Sequence, residues 1–182
     1  MKSFFFQLLP VLFCMTIALN SGCNILSQNN VTYYDLGSYQ KQSSDRLKSY
    51  QVRIVNATAV ASKMVYFRDN FQSVADDSAR FVQPPDEMLA RYLAARTGCQ
   101  NFFSGDKVID ITINQFYVNL SDMTVNLGIM YQIQDSANQI QYVENHLYQR
   151  KVEVLAPDNF ASAFAALFEE FADALEKQTQ KN

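Results

Sequence analysis

The sequence predicts a domain that combines an antiparallel β-meander with packed helices. Three long stretches in the second half of the chain alternate apolar and polar residues, which is typical of strands with one buried face. The stretch that follows carries phenylalanines and alanines at helical spacing, which is typical of a helix with one apolar face. At 182 residues, the chain is long enough for one such domain with a substantial core.

The N-terminal segment has the layout of a bacterial lipoprotein signal peptide. Lys2 precedes an apolar run that begins at Phe4, and small residues then lead to Cys23, whose thiol would receive diacylglycerol. We therefore expect cleavage between Gly22 and Cys23 and removal of residues 1–22. An ordinary secretory signal with an incidental cysteine and a short membrane helix are the alternatives, but the apolar run is shorter than the roughly 20 residues that span a bilayer.

Lipidation would make Cys23 the first residue of a protein held at a membrane. Several acyl chains on one residue anchor stably, whereas a single chain holds marginally. Residues 23–30 are then a lipidated polar tether, residues 31–178 a single domain and residues 179–182 a tail. Asn24 stands where an Asp would favour the inner membrane of a Gram-negative cell, so we expect the periplasmic face of the outer membrane.

Charge and cysteine usage exclude several classes of partner and cofactor. The net charge is −3 and no basic patch dominates, so nucleic acid is not an expected partner. Cys14 would leave with the signal peptide and Cys23 would be acylated, so Cys99 would remain alone without an internal disulfide. Cys99 is expected to be a buried small hydrophobe, with a reactive thiol as the alternative. No Cys/His spacing indicates a metal site, and no motif indicates a cofactor.

The first half of the mature chain is predicted to hold three short strands and a helix. The strands are rich in β-branched and aromatic residues, and a polar, turn-like stretch follows them. In order, these are strands at 31–36, 50–60 and 63–67 and the turn-like stretch at 68–79. The helix begins at Pro84 and Pro85, because proline in the first turn costs no hydrogen bond, and it ends near Gly98. Its apolar stripe leaves Arg91 and Arg96 outside.

Three long strands are predicted to form the meander. They span residues 108–120, 123–134 and 139–154, with turns at 121–122 and 135–138. The buried face of the first strand is expected to hold Ile109, Ile111, Ile113 and Tyr117. Burial of the third strand stays open, because Glu144 shares a face with Tyr142 and Tyr148.

The last helix is predicted to begin at Pro157, with Asp158 as its N-cap. Its apolar stripe consists of Phe160, Ala163, Phe164, Leu167, Phe168, Phe171, Ala174 and Leu175. Packing across the sheet is favoured over a position on a membrane surface, because anionic lipid would repel the acidic opposite face. That face carries Glu169, Glu170, Asp173 and Glu176.

The sequence contains no recognisable catalytic constellation. It has no glycine-rich phosphate loop and no Gly-x-Ser-x-Gly elbow. His146 is the single histidine and lies mid-strand without an obvious partner, so a hydrolase built on it is only an alternative. The acidic pairs at 76–77 and 169–170 are expected to be solvated rather than to form acid–base dyads. We therefore predict a binding or tethering protein and not an enzyme.

Several motifs follow one another in an order that resembles a known family. They are the lipobox, Tyr33-Tyr34-Asp35-Leu36, the aromatic strand Met64–Arg68, the stretch Arg80–Leu89, the meander and the Phe/Ala helix. Together they resemble the ABC-type transport auxiliary lipoproteins, the lipoprotein component of paraquat-inducible (Pqi-type) and related MCE lipid transport systems. The resemblance covers nearly the whole mature chain. The family usually has tryptophan just before the first helix, where this chain has Phe81.

The resemblance implies an α/β fold with a mixed β-sheet, similar to the N-terminal domain of TolB, with α+β as the alternative. It also implies a non-enzymatic lipoprotein that docks an MCE-domain protein and its permease at the outer membrane. The candidate interaction residues it implies are Tyr33, Tyr34, Leu36, Phe81, Pro84 and Pro85. The plainer interpretation of the tyrosines and the leucine is that they pair and pack the first strand.

A structural or assembly lipoprotein of the envelope is the alternative function. The outer edge of the predicted meander exposes unpaired backbone groups, which another copy of the chain could pair with. This interpretation predicts a homo-oligomer.

Overall fold

The computed structural model describes residues 31–36, 46–58, 61–68, 72–97 and 105–181. The elements before the first helix are β1 (Thr32–Tyr34), a 3-10 turn (Arg46–Ser49), β2 (Tyr50–Asn56), β3 (Lys63–Arg68) and β4 (Gln72–Phe81). The elements after it are β5 (Lys107–Asn119), β6 (Thr124–Gln134), β7 (Ile140–Lys151) and the last helix, α2 (Pro157–Thr179). The first helix, α1 (Pro85–Thr97), separates the two groups.

Within these residues, seven strands form one sheet in the order β1-β4-β3-β5-β6-β7, and β2 also lies beside β5. β5 is the central strand: it runs antiparallel to β6 and parallel to both β2 and β3. β6 and β7 are antiparallel. The sheet is therefore mixed, and β5, β6 and β7 form the expected antiparallel meander, which confirms the predicted α/β fold.

Both helices pack against the sheet and share one hydrophobic core with it. α2 lies across β6 and β7, while α1 lies beside β2. The apolar stripe of α2 is buried, with Phe168 and Phe171 fully inaccessible and the ring of Phe164 stacked on Phe116 at 4.0 Å between centroids. Burial of this stripe confirms that α2 packs across the sheet.

The polar stretch before α1 is a strand, and the prediction of a turn-like segment at 68–79 was wrong. β4 pairs antiparallel with β3 and parallel with β1. A strand with neighbours on both sides has its backbone groups satisfied by them, so it does not need an alternating apolar pattern of its own.

A β-bulge corrects the predicted burial of Tyr117. The ladder between β5 and β6 shifts register between Ile113 and Gln115, so the side chains after the shift exchange faces. Phe116 is buried as a result, while Tyr117 is only half-buried. Gly128 permits the bulge, because a Cβ there would lie 2.3 Å from the side-chain oxygen of Asn114.

The helix ends and faces differ from the prediction at three positions. Ala156 occupies the N-cap of α2, and the predicted cap Asp158 lies in the first turn, where its charge suits the helix dipole. Arg96 and Glu176, both predicted on solvated faces, are buried. Gly98 and Cys99 lie outside the described residues.

Candidate functional site

The candidate residues from Tyr33 to Pro85 come together at the β1 edge of the sheet. β1 pairs with the end of β4, so that Tyr33 lies beside Arg80 and Tyr34 beside Phe81. The backbone N–H of Val82 donates to the carbonyl of Tyr34 at 3.0 Å. The first motif is thereby joined to the stretch that leads into α1. Gly22 and Cys23 lie outside the described residues.

Most of these residues pack in or against the hydrophobic core. Phe81 is 1% exposed, and its ring meets Phe116 and Phe164 edge-on at 5.2 and 5.7 Å between centroids. Leu36 is buried, and Tyr34 packs partly buried against the same cluster. An aromatic ring thus occupies the position before the helix, and its role there is packing.

Tyr33 is the member of the motif that faces solvent. Successive residues of a strand point to opposite faces, so Tyr33 points away from the core that Tyr34 contacts. Its exposed fraction is 61%, and that of nearby Val82 is 49%. We call Tyr33, Val82 and the outer edge of β1 the β1 surface.

The start of α1 follows directly from its prolines. Pro85 is the first helical residue, and the carbonyl of Pro84 accepts the N–H of Met88 at 3.0 Å. Asp86 and Glu87 stand in the first turn, where they complement the positive end of the helix dipole. Pro85 is buried, so this pair fixes where the helix leaves the sheet.

Two arginines on α1 form ion pairs that differ in exposure: one joins α1 to the chain after β1, and the other joins α1 to α2. Arg91 forms an ion pair with Asp35, just after β1, and both side chains are more than a third exposed. Arg96 is 5% exposed; its Nε donates to Glu176 on α2 at 2.8 Å, and it also pairs with Asp173. Burial alone would lower the pKa of Arg96, but the hydrogen bonds that it donates to Glu176 and Asp173 outweigh burial and raise that pKa.

A tyrosine–glutamate cluster lies at the opposite end of the sheet. The hydroxyls of Tyr131 and Tyr142 donate to one oxygen of Glu144 at 2.6 and 2.9 Å. The bond from Tyr131, followed by that from Tyr142, lowers the pKa of Glu144, against the effect of desolvation. Burial, and then the bond to Glu144, raises the pKa of Tyr131. The carboxylate is thus held as an ionised hydrogen-bond acceptor. The sequence did not predict whether the third meander strand, β7, is buried, and the structure shows that a polar network covers part of its inner face.

His146 follows this cluster on the exposed part of β7. Its ring lies 4.4 Å from that of Tyr148, which is buried. Burial, followed by the charges of Glu144 and Glu170, raises the pKa of Tyr148 to about 12. Tyr148 is therefore a neutral ring against which His146 packs.

A surface depression lies away from the β1 surface, at the start of β5. Its volume is about 380 Å³, and its lining includes Tyr50, Lys107, Asp135 and Lys181. The carboxylate of Asp135 accepts the N–H groups of Ala137 and Gln139 and so shapes the turn before β7. None of the predicted site residues lines this depression.

Two findings concern the described part of the chain as a whole. It holds no group of three or more His, Cys, Asp or Glu side chains that could bind a metal ion. Among its helices, none combines the length and the apolar character needed to cross a bilayer.

Sequence patterns did not directly indicate two polar contacts that join separate elements. The pairing of Arg96 with Glu176 joins residues 80 positions apart. Asp173 and Glu176 are three residues apart on one helix, so both carboxylates lie on the same side of it. This spacing was the available signal that a cation faces them. The Tyr131–Glu144 bond follows from the register of β6 and β7, which pairs these two residues.

Comparison with known proteins indicates a fold and no family. No family model matches the chain, and no curated protein matches it. An uncharacterized protein of known structure is similar at 14% identity and a TM-score of 0.66, covering 82% of this chain and 98% of that one. Protein XCC0632 from Xanthomonas campestris, described under DUF330, is similar at 12% identity and a TM-score of 0.67, covering 82% of this chain and 94% of its own. These likenesses show a shared fold.

Proposed function

We propose that the chain is an envelope lipoprotein that serves as a non-enzymatic auxiliary component of an ABC/MCE-type lipid transport system. In this proposal Cys23 holds the domain at the periplasmic face of the outer membrane, where it docks the MCE-domain protein and its permease. The observation that carries the proposal is the convergence of the family-like motifs: Tyr33, Tyr34 and Leu36 meet the Phe81-to-Pro85 stretch at one sheet edge.

The length of the tether supports a role close to a membrane. Cys23 precedes Val31 by eight residues. A fully extended chain spans at most about 3.6 Å per residue, so the start of β1 would stay within about 30 Å of the lipid. The β1 surface is therefore the part of the described fold that the anchor would keep nearest to a partner arriving at the membrane.

The exposure of Tyr33 supports a partner-binding role for the β1 surface. Tyr34 and Leu36 are accounted for by packing, but Tyr33 is 61% exposed and contributes little to the core. Exposed tyrosine beside an apolar residue such as Val82 is a common composition for protein interfaces. Tyr33 and Val82 are accordingly the residues proposed to contact the transporter.

The uses of the charged groups support a non-enzymatic role. Glu144 accepts two tyrosine hydroxyls, and Arg96 is held between two carboxylates. A general acid or base must have a proton to exchange with substrate, whereas these groups are fixed in hydrogen bonds within the fold.

The anchor is tested by Cys23→Ser in cells grown with labelled palmitate. We expect loss of label and accumulation of the longer precursor. Cys14→Ser is the matched control, because Cys14 lies in the segment that would be cleaved away, and it should leave both label and length unchanged. Uptake of palmitate by the Cys23→Ser chain would refute lipidation at this residue.

The partner is tested by purifying the tagged chain from crosslinked membranes. We expect an MCE-domain protein and a permease to accompany the wild-type chain and to be lost with Tyr33→Ala or Val82→Ser. Val55→Ser is the control, because Val55 is similarly exposed, at 57%, but lies on β2. Contacts only between copies of the chain, together with an isolated gene, would favour the structural or assembly lipoprotein instead.

A further inference from the structure

β7 is a long strand with one neighbour. Its 12 residues pair with β6 on one side, and within the described residues β7 ends the strand order of the sheet. None of the other described strands pairs with the backbone groups on its second side, where another strand could add. Proline and brevity are two features that shield edge strands, and β7 has neither between Tyr142 and Lys151.

Apolar side chains are exposed on the outer face of this strand. Tyr148 is buried against Phe171 of α2, so the alternate positions face away from the helices. Val143 is 55% exposed and Leu147 41%, and Met130, which lies opposite Asn145 on β6, is 44% exposed. This apolar strip runs up to the open edge and would continue across a paired strand.

We propose that a second copy of this chain pairs with β7 in antiparallel fashion, about a two-fold axis at Asn145. A two-fold axis perpendicular to the sheet keeps the helices of both copies on one side. Opposed residues then point to the same face of the sheet. With the axis at Asn145, this residue lies opposite Asn145 of the partner subunit. This register pairs β7 from Tyr142 to Tyr148, the regular part of the strand beyond the irregularity at Gln141.

The register is complementary on both faces. On the outer face, Val143 lies opposite Leu147 of the partner subunit, and the reverse pair forms by symmetry. On the inner face, Glu144 lies opposite His146 of the partner subunit, which pairs an acceptor with a donor. Apolar residues thus meet apolar ones, and the carboxylate meets an imidazole.

Shifting the axis weakens this match. An axis at Leu147 sets Val143 opposite Lys151, and an axis at Val143 leaves the end of the strand beyond His146 unpaired. The strand is therefore most complementary to itself when centred on Asn145, which is why the occupant is a second copy and not an unrelated peptide. The inference does not depend on the transport role or on the lipid anchor.

Disulfide trapping tests the register in membranes that contain the full chain. The parent carries Cys14→Ser and Cys99→Ser, and it measures any crosslinking through Cys23. Adding Asn145→Cys should give a covalent dimer on mild oxidation, because opposed Cα atoms about 4.5–5.5 Å apart are within disulfide reach. Gln149→Cys is the matched control on the same face, since it would lie eight residues, or about 27 Å, from its own copy. It should give no crosslink above the parent.

A charge exchange tests the same contact without added cysteine. Leu147→Glu should abolish the dimer, measured as a halved mass for the solubilised full chain, because it sets a carboxylate against Val143 of the partner subunit. Adding Val143→Lys to the same chain should restore the dimer, since each lysine then opposes a glutamate of the other copy. Within one chain the two positions are four residues apart on a strand, about 13 Å, which is too far for an ion pair.

Three outcomes would overturn the proposal. These are an Asn145→Cys chain that crosslinks no more than the parent, a Gln149→Cys chain that crosslinks equally well, and a double variant that stays monomeric while remaining folded. A maximum at Leu147→Cys would also reject the stated register.

Discussion

β1 and β7, which end the strand order of the described sheet, differ in length and in what holds them. β1 has three residues, and the chain around it is held by buried Phe81 and Leu36 and by Arg91 reaching across from α1. β7 has 12 residues and exposes Val143 and Leu147 beside a polar network at Glu144. The short edge is held by the packing of the residues around it, whereas the long edge combines its ladder with β6 and the packing of Tyr148 on α2 with an exposed outer face. We therefore expect changes of buried residues near β1 to act mainly on stability and changes on the exposed outer face of β7 to act mainly on association.

The largest effect is expected from Phe81→Ala. Removing a fully buried ring from a group of three aromatics should lower the free energy of unfolding by about 3–5 kcal/mol. Urea denaturation measures this, with Val82→Ala as the exposed neighbour that should change it by about 0.5 kcal/mol or less. Similar effects for the two variants would remove the argument that packing fastens the β1 end.

Arg96→Ala comes next. It would leave Glu176 buried without its cation, and breaking such a pair from one side costs about 3 kcal/mol. Thermal unfolding of the variant measures the loss. The double change Arg96→Met with Glu176→Leu is the control, because replacing both charges by apolar groups should recover most of the stability. A double variant as unstable as the single one would contradict a cost that arises from the orphaned charge.

Glu144→Gln tests the network behind β7 and should cost about 1–2 kcal/mol at neutral pH, since two hydroxyls lose a charged acceptor. The folded state lowers the pKa of Glu144, so its contribution is present above the ordinary carboxyl range and is lost as the pH falls through the lowered value. The stability difference between the wild-type chain and the variant should therefore shrink below about pH 4. Denaturation curves at several pH values measure it, and a difference that grows in acid would reverse the assigned sign.

The smallest effect is expected from Arg91→Ala. Its pair with Asp35 is well exposed, and such pairs contribute about 1 kcal/mol or less. The loss should be smaller still in high salt, which denaturation with added sodium chloride measures. A loss as large as that of Arg96→Ala would mean that the β1 end depends on this surface pair.

The sequence predicted the elements in which a local apolar pattern marks the buried face. The alternation of the meander and the phenylalanine stripe of α2 each encode a buried face, and both were confirmed. β4 was missed because its residues are polar and its stability comes from β1 and β3, which no local pattern shows. Tyr117 was misplaced because strict alternation assumes an unbroken ladder, whereas Asn114 and Gln115 together oppose Gly128. A glycine in the middle of an apolar strand was the available signal.

The sequence predicted which residues belong to the candidate site but not which of them are exposed on its surface. The motif positions do meet at the β1 edge, but pattern alone could not separate Tyr33, which is exposed, from Tyr34, which packs. That separation depends on the parallel pairing of β1 with β4, a contact between residues 47 positions apart in the chain. The same limit applies to Arg96 and Glu176, whose charges indicate solvent until the helices are brought together.

The brevity of β1 has a mechanical consequence. Any force that arrives through residues before Val31 enters the described fold at β1, where three residues of pairing with β4, buried Leu36 and the Arg91–Asp35 pair would resist it. Under tension these few contacts would separate before the long ladders among β5, β6 and β7. β1 would thus be the first element of the described fold to yield if the N-terminal segment were pulled.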